Sequence, residues 1–201
     1  MTDSARKQEL LEAAYQYVLS NGLADMSLRP LARQVGSSPR VLLFLFGSKE
    51  ELTRALLARA REEELRYLAK LRDEHHGLAA AGRDVWAWLA DPAHRALLSL
   101  WVEGYARSLL GEPGPWADFG RDTVRDWLDL LAERQAAQAA QAEPEEQAGQ
   151  VARDERTLLL AVLRGALLDL LATGDTERVT SAVETHLRAV ERPAGATAPG
   201  G

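Results

Sequence analysis

Residues 27–49, SLRPLARQVGSSPRVLLFLFGSK, decide the fold. Ser27 belongs to the residue types that cap helix N-termini, and Leu28, Leu31, Ala32 and Val35 follow at i, i+3, i+4 and i+7, which draws one apolar stripe along a helix. Gly36 ends that helix, because glycine enters the left-handed position after a helix without steric cost. Ser38 and Pro39 then supply a new N-cap and a proline at the first helical position. A short helix, a turn containing glycine and a second short helix over residues 39–45 make a helix-turn-helix, the arrangement that lays its second helix in the major groove of DNA.

Upstream, residues 4–20 read as a supporting helix with Leu10, Leu11, Ala14, Val18 and Leu19 turned inward, and Asn21-Gly22 ends it. Arg6 and Lys7 at its start lie within possible reach of a phosphate. Downstream, Ser48 with Glu51 three residues later is a capping box, and Lys49 stands beside the free N–H groups of a new helix. A helix N-terminus with a lysine next to it is a natural phosphate clamp. The periodic pattern then continues from Lys49 to His76, with Glu50/Arg54 and Glu62/Arg66 spaced as i, i+4 pairs. At about 1.5 Å per residue such a helix spans roughly 40 Å.

Beyond it, residues 77–82 read as a linker, followed by helices over 83–90 and 93–110 on either side of Asp91-Pro92. The run GEPGP at 111–115 breaks the chain, and a helix over 116–140 follows with Val124, Trp127, Leu128 and Leu131 on one stripe. QAAQAAQAEPEEQAGQ reads as a mobile loop, and the last helices cover 153–173 and 176–191. No stretch alternates as a strand does. The expected architecture is all-α, with about nine helices: a three-helix DNA-binding domain at 1–48, a helical regulatory and dimerisation domain at 49–192, and a flexible tail at 193–201.

Of the 201 residues 46% are hydrophobic, enough for a substantial core, and none is cysteine, which excludes disulfides and thiolate metal sites. The N-terminus lacks the uninterrupted apolar run of a signal peptide and no apolar run approaches a membrane span, so a soluble cytoplasmic protein is expected. The net charge of −6 is unevenly spread: residues 1–49 carry +2 and the rest −8. A small basic head on an acidic body keeps the body off a polyanion. His75-His76 with Asp73 and Glu74 does not make a metal site, since consecutive residues diverge around a helix and histidine is favoured near a helix C-terminus for dipole reasons alone. No metal, cofactor or catalytic centre is expected: nucleophile–base pairs, phosphate-cradling glycine loops and HExxH are all missing.

The run 10–57, about a quarter of the chain, resembles the N-terminal domain of the tetracycline-repressor-like (TetR) family of bacterial transcription regulators. The likeness rests on the amphipathic first helix, Leu31-Ala32 before the turn, Gly36-Ser37-Ser38 at the turn, and FGSKEEL at 46–52. One element departs from it: the family usually carries Tyr and His where this chain has Leu43 and Leu45, and uses that Tyr on the DNA backbone. The resemblance implies a dimer formed through the last two large helices as a four-helix bundle, and a ligand pocket among helices four to seven.

These expectations name residues. On double-stranded DNA, Arg40 and Phe44 point to base edges, Ser37, Ser38 and Lys49 to phosphates, with Arg29, Val41 and Leu43 completing the surface. Arg40 is the strong donor of the reading helix. A homodimer is expected because one head reads too few bases while two related by a two-fold read a palindromic operator. LLLAVLRGALLDLLA at 158–172 is apolar nearly all round, so Leu159, Leu163, Leu167 and Leu170, with Val179, Val183 and Leu187, are the expected interface. All five tryptophans fall within residues 86–127, more indole than packing needs, and Trp86, Trp101, Tyr105, Trp116, Phe119 and Trp127 are the expected lining of a small-molecule effector pocket. The function this implies is a repressor released by a small molecule; the alternative is a DNA-binding dimer regulated by a partner protein.

Overall fold

The computed structural model describes residues 3–23, 26–72, 77–111, 113–139 and 146–191. Among them are nine α-helices and no strand: α1 (Asp3–Asn21), α2 (Leu28–Gln34), α3 (Pro39–Phe46), α4 (Lys49–Arg72), α5 (Gly77–Ala90), α6 (Arg95–Leu109), α7 (Phe119–Ala139), α8 (Glu146–Thr173) and α9 (Thr176–Glu191), with a single 3-10 turn at Pro92–His94. The all-α class with about nine helices is thus as expected. The His75-His76 cluster, part of the Gln/Ala/Glu-rich run and the C-terminal tail lie outside the described residues. No described helix is long and apolar enough to cross a membrane.

The chain divides into two compact units, one of residues 1–67 and 95–124, the other of residues 68–94 and 125–201. In the first, α1 packs on α2, α3 and α6. Leu10, Ala14, Tyr15 and Val18 of α1, Leu31 and Ala32 of α2, Leu42 and Phe46 of α3, and Leu52, Leu56 and Leu57 of α4 are buried there. Polar ties hold the helices in register. The Arg59 guanidinium of α4 donates to Glu12 of α1 at 2.8 Å and to Glu63 at 3.1 Å, lies 4.6 Å from the Tyr15 ring, and holds the Glu12 carboxyl below the usual carboxylate range. Tyr15 donates its hydroxyl to Glu63 at 3.1 Å, and burial, reinforced by that carboxylate, pushes its ionisation well above the ordinary tyrosine value. Glu103 of α6 accepts from the Leu23 amide at 2.8 Å, fixing the α1–α2 connection. Gly104 lets α6 approach closely: a Cβ there would stand 3.1 Å from Leu57 and 3.3 Å from Phe119.

In the second unit α5, α8 and α9 pack against one another. Here the structure corrects the expected linker at 77–82, which is the first part of α5. Gly82, the last residue of that expected linker, serves close packing: a Cβ would lie 2.6 Å from Leu187 and 3.2 Å from Leu159. Across the same contact Trp86 donates its indole N–H to Thr180 at 3.0 Å, and Arg83 donates to Glu184 at 3.2 Å. Helix α8 starts at Glu146, not near 153, so some of the presumed loop is helical, and α7 starts at Phe119 and not at Trp116.

The expected dimer residues are found packed within the single chain. Leu159, Leu163, Leu167, Leu170, Val179, Val183 and Leu187 are all 5% exposed or less within one chain. They form the α5–α8–α9 core. Because α8 is apolar nearly all round it carries two stripes, and the inward one is already covered; the outward one holds Val151 (56% exposed), Leu158 (56%) and Leu168 (52%).

This assignment predicts opposite responses from two leucines on one helix. Leu163→Ala should lower stability by about 2–5 kcal/mol, the range for a large-to-small change in a packed core, while Leu168→Ala should change it by less than about 1 kcal/mol. Urea denaturation of both variants checks this.

Candidate nucleic-acid interface

The turn between α2 and α3 is closed by backbone bonds that the sequence makes possible. Gly36 sits at φ +63°, its N–H donates to the Arg33 carbonyl at 3.3 Å, and the Ser37 N–H reaches back to the Ala32 carbonyl at 2.8 Å. These 5→2 and 6→1 bonds are a Schellman motif, which needs a left-handed residue where glycine stands. Ser38 then caps α3: its backbone is extended, at φ −126° and ψ 154°, its hydroxyl accepts from the Val41 N–H at 3.3 Å, and Pro39 occupies the first turn. Ser27 has the extended backbone of an N-cap, but its hydroxyl makes no capping bond.

With its start fixed, α3 has one orientation. Leu42 is 0% exposed and Phe46 6%, and these two, one turn apart, anchor the helix in the core. At about 100° per residue, Leu43, Arg40, Phe44 and Val41 fall in that order across an outward arc of roughly 160°. Arg40 is exposed at its centre beside Phe44, which is 76% exposed, and Val41 and Leu43 flank them at 39% each. The structure thus brings the named reading-helix residues onto one face, while Leu45 is only half-buried and lies to the side.

Exposed cations stand on the elements next to α3. Arg29 and Lys49 are exposed, and Ser37 and Ser38 are half-buried at the turn. At the start of α4 the Ser48 hydroxyl accepts from the Glu51 N–H at 3.0 Å, one half of the expected capping box, while the Glu51 carboxylate pairs with Arg54. Arg33 was not among the candidates, whereas Lys7 was named with Arg6 for its reach toward a phosphate. Arg33 lies one turn beyond Arg29 on α2 and is likewise exposed; the i, i+4 spacing was the available signal. Lys7 places its ammonium 5.2 Å from the centre of the Phe46 ring, at the C-terminal end of α3, whereas Arg6 is paired with Glu9 at 2.8 Å. Among the described residues no ion pair holds Lys7, Arg29, Arg33, Arg40 or Lys49. Three acids of this region are occupied, Glu9 by Arg6, Glu12 by Arg59 and Glu51 by Arg54, while Glu50, next to Lys49, is exposed.

The expected pocket residues fall into two groups. In the first unit, Trp101 and Tyr105 stack at 4.9 Å on α6, the Arg107 guanidinium lies 4.8 Å from the Trp116 ring, and Phe119 packs against Gly104. In the second, Trp86 is buried in contact with α9, and Trp127 stands 6.5 Å from Trp88, which stacks on His94 at 4.6 Å. A cleft of about 440 Å³ in the first unit runs between α4, through Leu57, Ala58, Arg61 and Leu65, and the segment Pro115 to Asp122; of the six candidates only Phe119 lines it. Arg61 and Asp122 are ion-paired at 2.8 Å on its wall. A smaller cavity of about 320 Å³ in the second unit is more polar, with Gln135, Glu155 and Glu191 among its walls. No group of three or more potential metal ligands occurs among the described residues.

Solved structures share this all-α architecture with a helix-turn-helix near its start and a long fourth helix. A TetR-family transcriptional regulator from Agrobacterium tumefaciens matches 94% of this chain and 98% of its own at a TM-score of 0.71 and 19% identity. A TetR transcription regulator from Haloarcula marismortui covers 93% and 98%, also at 0.71, with 18% identity. The multidrug binding protein EbrR, solved in complex with imidazole, covers 96% and 93% at a TM-score of 0.63 and 26% identity. No protein-family model and no curated protein matches the sequence. The chain is TetR-like, and its fold is that of the TetR-family regulators.

Proposed function

We propose that this protein is a DNA-binding transcription regulator, a homodimer that occupies a palindromic operator as a repressor and leaves it when a small molecule binds. The observation that carries the reading is the outward face of α3, with Arg40 and Phe44 at its centre, together with exposed cations on the neighbouring elements that no ion pair holds among the described residues. Residues 1–48 form the reading head and residues 49–192 the regulatory and dimerising body. The work is binding and not catalysis, and a cytoplasmic location follows, since that is where a bacterial operator lies.

Arg40 supplies a bidentate donor for a guanine edge, while Lys49, Arg29 and the serines of the turn take phosphates. The expected outcome is that Arg40→Ala loses specific binding by about 1–3 kcal/mol and relaxes sequence preference, whereas Lys49→Ala weakens specific and scrambled duplexes alike. Anisotropy titrations of both variants on both duplexes decide it; equal loss on both duplexes for Arg40→Ala would contradict the role given to that side chain.

Dimerisation uses the outward stripe of α8 in place of the inward one. Leu158, Ala161, Gly165 and Leu168 follow at i, i+3, i+7 and i+10, the spacing of a helix seam, and a Cβ at Gly165 would meet nothing within 4 Å. Leu168→Glu should convert dimer to folded monomer in light scattering at micromolar concentration. A wild-type monomer under those conditions would overturn this part of the proposal.

The effector occupies the cleft along α4. Its volume of about 440 Å³ lies within the range of small-molecule sites, and the stacked Trp101 and Tyr105 belong to the same unit. The imidazole complex of EbrR supports a planar nitrogen heterocycle as the class of ligand. Such a ligand acts by preferring the DNA-free dimer, and the bound operator must weaken its affinity by the same factor. Titration with planar heterocycles should therefore change tryptophan emission saturably and release a bound duplex; a set that does neither would return the aromatic cluster to a purely structural role.

A further inference from the structure

The face that α3 turns outward has an unusual chemistry for a reading helix. Of its four exposed side chains only Arg40 donates hydrogen bonds; Val41, Leu43 and Phe44 are apolar, at 39%, 39% and 76% exposed. The Ser38 hydroxyl accepts from the Val41 N–H and keeps its own proton to donate, but it stands at the N-cap and not on this arc. A helix that reads bases by hydrogen bonds alone would carry Asn, Gln, Lys or Ser at these places, because every base-edge donor or acceptor left without a partner in the interface costs affinity. The edges of the major groove contain one apolar group, the C5 methyl of thymine. On the elements next to α3, Lys7, Arg29, Arg33 and Lys49 are exposed and held by no ion pair among the described residues, which suits a polyanion with methyl groups better than an uncharged apolar partner.

Resting on the DNA-binding reading, we propose that thymine methyl groups are the main sequence determinant of the half-site, packed by Phe44 with Val41 and Leu43 beside it, next to a single guanine read by Arg40. Arg40 and Phe44 are one turn apart, about 6 Å along the helix, and base pairs follow at about 3.4 Å, so the guanine and the first contacted thymine stand within about two steps of each other. Methyl recognition needs no donor. Affinity at these positions comes from removing the methyl and the Phe44 ring from water, and it disappears when the methyl is deleted even though base pairing is unchanged.

Deoxyuridine makes that deletion without altering the Watson–Crick edge. Random duplex libraries prepared with thymidine, and in parallel with deoxyuridine in its place, are carried through selection on the full-length protein, and the winning thymidine duplex is then resynthesised with single deoxyuridine replacements. The expected result is a thymine-containing motif from the first library, poor enrichment from the second, and about a fourfold loss of affinity for each contacted methyl removed, the value of one buried carbon. Phe44→Ala, at a position too exposed to affect folding, should bring the thymidine-to-deoxyuridine affinity ratio toward one, while Arg40→Ala should leave that ratio intact. A ratio that persists undiminished in Phe44→Ala would mean that the methyl acts through duplex shape, which overturns the inference. Equal affinity of the wild type for both forms of the selected duplex would overturn it too and leave DNA binding standing. Failure to enrich either library would remove the DNA-binding reading itself, and this inference with it.

Discussion

Everything the proposed interface does depends on the rotational phase of one helix, α3, which has eight residues. It is anchored by two of them, Leu42 and Phe46, and a shift of a single residue, about 100°, would bury Leu43 and turn Leu42 outward. The phase is set before the helix begins. The Schellman bonds around Gly36 fix where α2 stops, and the Ser38 cap and Pro39 fix where α3 starts, leaving no residue free to slip. A side chain at Gly36 would be strained at φ +63° even though space is open around it, so the constraint there is backbone conformation and not packing.

A second constraint acts through charge. Arg59, only 14% exposed, joins Glu12 and Glu63 and covers the Tyr15 ring, which ties α4 to the helix that supports α2 and α3. Exposed ion pairs contribute little stability, but one this sheltered also fixes geometry, and it removes Glu12 from the electrostatic balance of the head. With Glu9 and Glu51 held by Arg6 and Arg54 as well, three acids of the head are taken up within it, and Glu50 beside Lys49 is the exposed exception among the described residues. An overall acidic protein can in this way present a basic surface of modest net charge.

The turn, the N-cap of the reading helix and the supporting first helix were legible in the sequence because their signals are local: serine, proline and glycine at fixed offsets, and a stripe at helical spacing. What failed to be legible depends on distant partners. Nothing within α8 distinguishes the stripe containing Leu159 and Leu163 from the one containing Leu158 and Leu168; only the presence of α5 decides which goes inside. Gly82 looks like a breaker to any local rule, yet its role is set by Leu187, more than a hundred residues away. The tryptophans were legible as an excess and not as a location: Trp86 and Trp127 are core residues of one unit while Trp101 and Trp116 belong to the other. Arg33 and Lys7 show the reverse case, since their types were plain but their orientation needed the neighbouring helices in place.

The central claim, that the outward arc of α3 meets duplex DNA, is tested most directly by photo-crosslinking. Benzoylphenylalanine placed at position 44 should crosslink a selected duplex, and the same group at position 109 or position 168, both exposed and apolar but on other helices, should not. Crosslinking from position 168 in preference to position 44, or duplex binding without any crosslink from position 44, would contradict the account.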